Sequence, residues 1–354
     1  MSPKVFVGWL VATVLVVVVA LVVVLDRPLA SFDPISGEVA FPALREASDT
    51  AARIVVTNHY RTFAIVRRGD QWAAADQYDY PVAAGEVREL LARLADMRTL
   101  ELKTQKPARH GRLEVEDPTK ENAASRRVRV EDAGGKVLAD AIVGRPSYRF
   151  VGTITNGTYM RRPDDSQAWL GTGIVRVQDR LVPWLEREIV AVKADQLARV
   201  RFNEGGEGAY TVARKAADKE FTLSPLPEGR TVDDDGAVRT FARFAENVLL
   251  EDVVPADKFV PGDGEKHKAV IETFDGVVFT VDMTVQGDKT WASISAAYAG
   301  PADAAADVAG GARQRVESIN KRHAGWVYWL PYDFRDALLR KVDDWLVKPD
   351  KGTS

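Results

Sequence analysis

The chain begins with an apolar stretch, Val5–Leu25, that contains no charged residue. As a helix, its 21 residues would extend roughly 31 Å, which matches the apolar thickness of a bilayer. A cleaved signal peptide has a shorter apolar region followed by small residues, whereas Asp26, Arg27 and Pro28 follow here. The stretch therefore predicts a transmembrane anchor at residues 1–30, rather than a signal peptide or a buried core helix.

The charges beside this stretch predict its orientation. Lys4 and the α-amino group precede it, and Asp26 and Arg27 follow it. Positive charges favour the cytoplasmic side of a membrane. We therefore expect a single-pass protein of the bacterial inner membrane, with a short cytoplasmic N-terminus and a periplasmic or otherwise extracytoplasmic main domain.

Short segments of alternating apolar and polar residues follow a predicted stalk at residues 31–50. This alternation is typical of strands with one face in water. The strands predicted in the first half of the chain are Arg53–Asn58, Thr62–Arg68, a strand containing Trp72, Arg127–Glu131, Val137–Val143, Thr158–Arg162 and Ala168–Leu170.

Two segments of the first half show helical spacing instead. Apolar residues from Val87 to Met97 recur every three or four positions and predict a helix at about Ala84–Leu100. A second amphipathic helix is predicted, with an apolar face that extends from Leu181 to Ile189 and with Pro183 in its first turn.

The second half repeats this order of elements. Leu91–Asp96 aligns with Phe241–Glu246 at a constant offset of 150 residues, and both halves end on paired Trp-Leu sequences. The shared order predicts a tandem duplication. The strands predicted in the second half are Leu197–Phe202, Ala209–Lys215, Glu220–Leu223, Lys268–Phe274, Val277–Val285 and Lys289–Ala296.

These patterns predict an α+β fold, in which an N-terminal transmembrane helix precedes two tandem repeats of antiparallel sheet with helices packed on one face. The first repeat spans 51–195. The second spans 196–348 and contains an insertion at about 301–324 with a helix near Arg313–Arg322, and residues 349–354 form a disordered tail.

Composition limits the classes of protein that this chain can belong to, but it predicts no activity. The chain is 46% hydrophobic and 28% charged, and its net charge of -3 offers no positive field for nucleic acid. It contains no cysteine, which excludes disulfides and a lipid-anchored cysteine. We therefore expect globular domains that do not bind nucleic acid.

Candidate metal sites are weak in this sequence. The four histidines are scattered and do not have the spacing of a helical zinc pair; they are His59, His110, His267 and His323. A calcium loop beginning at Thr231 would require glutamate at position 242, where Ala242 stands. Asp233, Asp234 and Asp235 fit the start of a helix better. No metal or cofactor is predicted.

No catalytic motif was found either. The chain lacks a phosphate-binding loop, a nucleophile elbow and a dinucleotide fingerprint. Asn156–Thr158 has the form of a glycosylation sequon, but Asn-Gly favours a turn. We assign no catalytic, cofactor-binding or metal-binding residue and expect a protein without enzymatic activity.

The tryptophans near the ends of the halves have two interpretations: a stacking platform for carbohydrate or peptide, or core packing. Core packing is favoured because these residues occupy equivalent places in the repeat, beside leucine or valine. They are Trp169, Trp184, Trp326, Trp329 and Trp345.

Several motifs resemble a known family. Gly69–Trp72, followed by Asp79–Pro81 and a leucine-rich helix, is similar to the opening signature of the bacterial domain-of-unknown-function 4340 family. The resemblance extends over about Ile54–Leu346. Further segments that agree with the family are Arg112–Pro118, Val143–Gly144, Tyr159–Arg162, Gln167–Leu170 and Trp184–Arg187.

The resemblance implies a membrane-anchored protein of unknown activity, often associated as an auxiliary component with gliding-motility-type ABC transport systems. It implies no functional residues. We therefore expect a scaffold or accessory subunit of a membrane complex, whose partner is an ABC-type permease or an associated subunit. The alternative is an extracytoplasmic ligand-binding module for sugar, peptide or lipid, with a cleft between the repeats. Hydrolysis by an unrecognised carboxylate pair ranks last.

Overall fold

The computed structural model describes residues 37–148, 156–203, 206, 208–232, 238–239, 242, 245–300, 306–332 and 342–347. The predicted anchor Val5–Leu25 and the predicted tail at 349–354 lie outside these ranges. Within them, no helix has both the length and the apolar character needed to cross a membrane. The described helices thus do not bear out the expected transmembrane helix or the inner-membrane location derived from it.

Strands dominate the described chain, and only three α-helices have described bounds: α1 (Pro42–Glu46), α2 (Ala84–Ala95) and α3 (Ala306–His323). The strands are β1 (Ala51–Thr57), β2 (Thr62–Arg68), β3 (Gln71–Ala74), β4 (Tyr80–Pro81), β5 (Thr99–Thr104), β6 (Arg126–Asp132), β7 (Val137–Ser147), β8 (Gly157–Arg161), β9 (Ala168–Thr172), β10 (Glu188–Ala191), β11 (Leu197–Phe202), β12 (Tyr210–Ala213), β13 (Thr222–Ser224), β14 (Asn247–Leu249), β15 (Asp252–Pro255), β16 (Lys266–Thr273), β17 (Val277–Gln286), β18 (Lys289–Tyr298) and β19 (Trp326–Leu330).

The chain divides into two compact units. The first unit comprises Met1–Thr62 and Glu89–Asp179, and its strands run in the order β1-β6-β7-β8-β9-β5, each antiparallel to its neighbours. Inward-facing residues such as Ile54, Val128 and Val130 are fully buried. Alternation along β1 and β6 thus gives this part of the sheet one apolar face, whereas β8 is buried at every position.

The second unit comprises Phe63–Arg88 and Arg180–Ser354. It contains the β2-β3-β4 meander, the β10-β14 ribbon and a sheet in the order β13-β12-β11-β16-β17-β18-β19-β15. The path β11-β16-β17-β18-β19-β15 repeats the six-strand order of the first unit. The repeat boundaries at 51–195 and 196–348 stay a prediction.

The predicted packing of helices on a sheet face is wrong. The longest described helix, α3, runs along β18, and the Asn320 side chain accepts a hydrogen bond from Ala296 N and donates one to Ala296 O, both at 2.8 Å. β19 pairs with β18 only at Thr290–Ala292, so the remaining part of β18 has an open edge. Asn320 occupies that edge as a neighbouring strand would, which protects it from pairing with another chain.

The predicted helix around Leu181 and Ile189 is also wrong. The structure has a 3₁₀ turn at Val182–Trp184, followed by strand β10. In this strand Val190 pairs with Val248 of β14. The residues at helical spacing, from Leu181 to Ile189, are indeed buried, but they lie in a turn and a strand, so their spacing alone was not evidence for a helix.

Residues 37–50, expected within a stalk, are packed into the first unit. Val39 bridges Arg98, and Ala40 N donates to Met97 O at 2.8 Å. Leu44 of α1 is completely buried. The backbone pairing and the buried leucine fix this segment in place.

Candidate functional site

One face of the second-unit sheet is polar over most of its width and aromatic near β19. Along β18, Thr290, Ala292 and Ile294 are buried, whereas Ser293 on the opposite face is exposed. Trp291 shares the face of Ser293 and remains partly exposed. This face is the candidate functional surface because large aromatic residues there are only partly covered.

Strand register brings two tryptophans together on this face. Trp291 of β18 stands directly opposite Trp329 of β19. Side chains in such positions have Cβ atoms about 5 Å apart. The two indoles, 38 positions apart in sequence, therefore lie side by side.

A lysine and a phenylalanine complete what we call the lysine–aromatic cluster: Phe259, Lys289, Trp291 and Trp329. Lys289 directly follows the β17-β18 turn, where Gly287 has φ of 60°. Its Nζ lies 4.2 Å from the ring centroid of Trp329 and 5.9 Å from that of Trp291. The Phe259 ring lies 5.4 Å from the Trp291 ring.

The cluster has the chemistry of a binding surface. An ammonium above an indole face is attracted by about 0.5–2 kcal/mol, so Lys289 is held in place while its charge stays at the surface. Partly exposed tryptophan beside a cation is typical of the residues that dominate protein interfaces. The three aromatic side chains contain no nucleophile, and the cluster itself contains no acid–base pair that would activate the Lys289 amine.

The most strongly perturbed titratable groups of the described chain lie elsewhere in the second unit and are buried. His323, at the end of α3, is hydrogen-bonded through Nδ1 to the Tyr328 hydroxyl at 2.8 Å. The Tyr80 hydroxyl donates to the Glu186 carbonyl at 3.1 Å, and the Tyr80 ring meets the Trp326 ring edge to face at 4.9 Å. These contacts satisfy polar atoms inside the core.

Burial sets the pKa values in this network. It lowers the pKa of His323 to about 4, and the positive charge of Arg322 acts in the same direction. Burial also raises the pKa of Tyr80 to about 12 and that of Tyr328 still further. At neutral pH all three groups are uncharged, and the imidazole tautomer decides whether the Tyr328 hydroxyl or His323 Nδ1 is the donor between them. The network is a structural one.

Acid should therefore destabilise the second unit through His323. The imidazole pKa is about 4 when folded and 6.5 in its ordinary state, so the unfolded chain binds a proton more readily between these values. The stabilisation is present above pH 6.5 and falls by about 3 kcal/mol as pH drops to 4. Denaturation across this range should show the slope, and His323→Gln should reduce it.

The matched control is His59→Gln, because His59 is only partly buried and contacts the Tyr60 ring. Because His59 lies outside the buried network, His323→Gln should reduce the pH slope more than His59→Gln does. An unaltered slope in His323→Gln would contradict the assignment.

The histidines do not converge. His110 is buried and donates through Nε2 to the Ser166 carbonyl at 2.9 Å, and His267 contacts Asn203 through Nδ1 at 3.1 Å. In the part of the chain that the structure describes, no group of three or more metal-binding side chains comes together. Asp233, Asp234 and Asp235 lie outside that part.

The sequon residue Asn156 directly precedes β8 rather than lying in a described turn, and its carbonyl accepts the Gly173 amide at 3.1 Å. Thr158 is completely buried and donates to the Gly173 carbonyl at 2.8 Å. The segment is thus built into the first unit.

The motifs that carry the family resemblance meet in the first unit around Arg161. This buried guanidinium donates through Nε to Val115 O at 2.9 Å and through Nη1 to the carbonyls of Arg162, Pro163 and Asp165. An apolar cluster lies beside it and consists of Val115, Ile142, Tyr159, Ala168 and Leu170.

Gly144 belongs to the same place. A Cβ at this residue would lie 2.2 Å from the Leu113 carbonyl oxygen, which real structures do not allow. Only glycine therefore lets the segment containing Leu113 cross β7 so closely. Several of the family motifs thus hold one structural junction.

The tryptophans divide between the two interpretations. Core packing is confirmed for Trp184 and Trp345, which are 1% and 3% exposed. Trp169, Trp326 and Trp329 are partly exposed. Sequence reasoning included Trp329 but missed its partners Phe259, Lys289 and Trp291. One signal in the sequence could have indicated Trp291: it is a large apolar residue on the polar face of the alternating strand β18.

The fold and the surface define a β-rich protein with a partly exposed lysine–aromatic cluster on one sheet face. Comparison with protein families matches residues 72–266 to a domain of unknown function, DUF4340. The match covers more than half of the chain, and the chain belongs to this family. Searches of curated proteins and of solved structures gave no match.

Proposed function

We propose that this protein is a non-enzymatic accessory subunit that binds another protein through the lysine–aromatic cluster. The observation that carries the proposal is the pair Trp291 and Trp329, placed side by side on the open sheet face with Lys289 above them. Such a surface offers large apolar area and one fixed charge, which suits a protein interface better than a reaction centre.

The partner we propose is a subunit of an ABC-type transport system. This choice rests on the family resemblance, because the geometry of the cluster specifies the chemistry of the contact and not the identity of the partner. Binding of a sugar, peptide or lipid is the competing function. A thermal-shift screen of the full-length chain with these ligands separates the two, since a ligand that binds the folded state raises its stability.

Trp329→Ala should strongly weaken partner binding while leaving the fold intact. Loss of a central interface tryptophan costs about 2 kcal/mol or more of binding free energy, roughly a 30-fold weaker association. Because Trp329 is already partly exposed, its loss should cost less stability than loss of a buried tryptophan. Affinity purification of the tagged full-length chain from its native cells measures the retained partner.

Trp169→Ala is the matched control, since Trp169 is also partly exposed but lies in the first unit. It should retain the partner, and Lys289→Ala should weaken retention to a smaller extent than Trp329→Ala. Equal recovery of the partner with wild type and Trp329→Ala would exclude the cluster as the interface.

A further inference from the structure

A row of basic side chains lies on the first unit, on a surface that differs from the lysine–aromatic cluster. Pro107–Arg112 forms a 3₁₀ helix whose N-cap residue is Lys106. In a 3₁₀ helix, residues three apart lie above one another, with about 6 Å of rise between them. Lys106, Arg109 and Arg112 have this spacing, so their side chains leave the helix as one row.

Packing fixes which side of this short helix faces solvent. The neighbouring row contains His110, which is buried and bonded to the Ser166 carbonyl at 2.9 Å. It continues to Leu113, which packs against the apolar cluster beside Arg161. Because the row of His110 and Leu113 is anchored, the helix cannot rotate about its axis. Lys106, Arg109 and Arg112 therefore remain exposed.

Two acidic side chains close to the row in sequence are engaged with other groups. Glu101 pairs with Lys103 at 2.6 Å, and Glu116 accepts the Ala124 amide at 2.8 Å. Among the described residues, no ion pair joins Glu114 or any other acid to the three cations of the row. Three like charges on successive turns repel one another, and an acidic partner would relieve this repulsion.

We propose that the row Lys106, Arg109 and Arg112 binds an extended acidic segment of a partner protein. In an extended segment, every second side chain lies on the same side, and these side chains are about 6.6 Å apart. Carboxylates at alternate positions therefore match the row along its length, and each arginine can hold one of them with two parallel hydrogen bonds. This inference does not depend on the function proposed for the lysine–aromatic cluster.

Other anionic partners fit the row less well. Lipid-binding clusters usually contain about four to eight basic residues, whereas this row has three. Nucleic acid is disfavoured by the net charge of -3. The length and spacing of the row favour a short protein segment.

The test uses the full-length chain and a labelled nine-residue peptide in which Glu and Thr alternate, with binding followed by fluorescence anisotropy. A peptide of the same composition with its glutamates in one block is the reference probe. We expect tighter binding of the alternating peptide. We also expect Arg109→Gln/Arg112→Gln to weaken that binding about tenfold, since each exposed ion pair is worth a few-fold in affinity.

Lys120→Gln/Lys136→Gln is the charge-matched control, because both lysines are exposed on the same unit outside the row. It should change the affinity less than twofold, and Arg109→Lys/Arg112→Lys should restore part of the binding. Equal weakening in the two glutamine variants would overturn the proposal. Tighter binding to vesicles with 30% phosphatidylserine or to a 20-nucleotide thymidine strand than to the peptide would also overturn it.

Discussion

Trp184→Ala is expected to lower the free energy of unfolding of the second unit by about 3–5 kcal/mol, the largest single effect that the structure predicts. Trp184 is 1% exposed and is among the largest fully buried side chains of the described residues. Its carbonyl accepts the Ala83 amide at 2.8 Å, and the adjacent Leu185 bridges Val82. Removing the indole would leave a cavity at this junction. Urea denaturation of the full-length chain measures the loss.

Two variants test the cause of this effect. Trp184→Phe fills part of the cavity and should recover part of the stability. Trp329→Ala removes the same side chain from a partly exposed site and should cost much less. If Trp184→Ala were no more harmful than Trp329→Ala, burial would not be what distinguishes these two tryptophans.

Arg161→Met should destabilise the first unit by about 3 kcal/mol or more. The substitution keeps an unbranched apolar stem but removes the donors to four backbone carbonyls, which lie in the loop at Val115 and in the β8-β9 connection. Hydrogen bonds from a charged donor contribute about 1.5–3 kcal/mol each, and their loss is not additive. The unfolding midpoint in urea provides the measurement.

Arg162→Met is the matched control for Arg161→Met. Arg162 is exposed and donates through Nη2 to a single carbonyl, that of Ala40, at 3.0 Å. Its loss should cost clearly less than that of Arg161. Similar losses for the two neighbouring arginines would show that Arg161 does not hold the junction of the family motifs.

The sequence predicted local elements well where the pattern was set by neighbouring residues. Helix α2 begins at the expected Ala84, because Val87, Leu90 and Leu94 form a buried stripe at helical spacing. β11 has the expected bounds Leu197–Phe202. In both segments one face is buried, and the period of the burial matches the secondary structure.

Prediction failed where distant pairing determined the conformation. The segment after Trp184 becomes β10 because its backbone pairs with β14, about 60 residues away. The helices expected on a sheet face were inferred from the α+β pattern, but α3 lies at the edge of β18, where Asn320 replaces a missing strand. Local spacing contains no information about such partners.

The candidate site shows the same limit. Trp329 was recognised from its place in the repeat, whereas Lys289 and Trp291 join it only through the register of β18 against β19. Phe259 reaches the same place from the turn that follows β15, where its amide donates to Pro255 O at 3.0 Å. A surface assembled from three separate segments becomes visible only when the strand order is known.

Site-specific photo-crosslinking in native cells tests the central claim, that the lysine–aromatic cluster is a protein interface, most directly. Ser293 is exposed on the face of Trp291 and two residues from it, so a photoreactive residue there should form a crosslink to a partner protein. The same probe at Lys136, exposed on the first unit, should not give this product, and Trp329→Ala should remove it. No product at position 293, or the same product from position 136, would contradict the account.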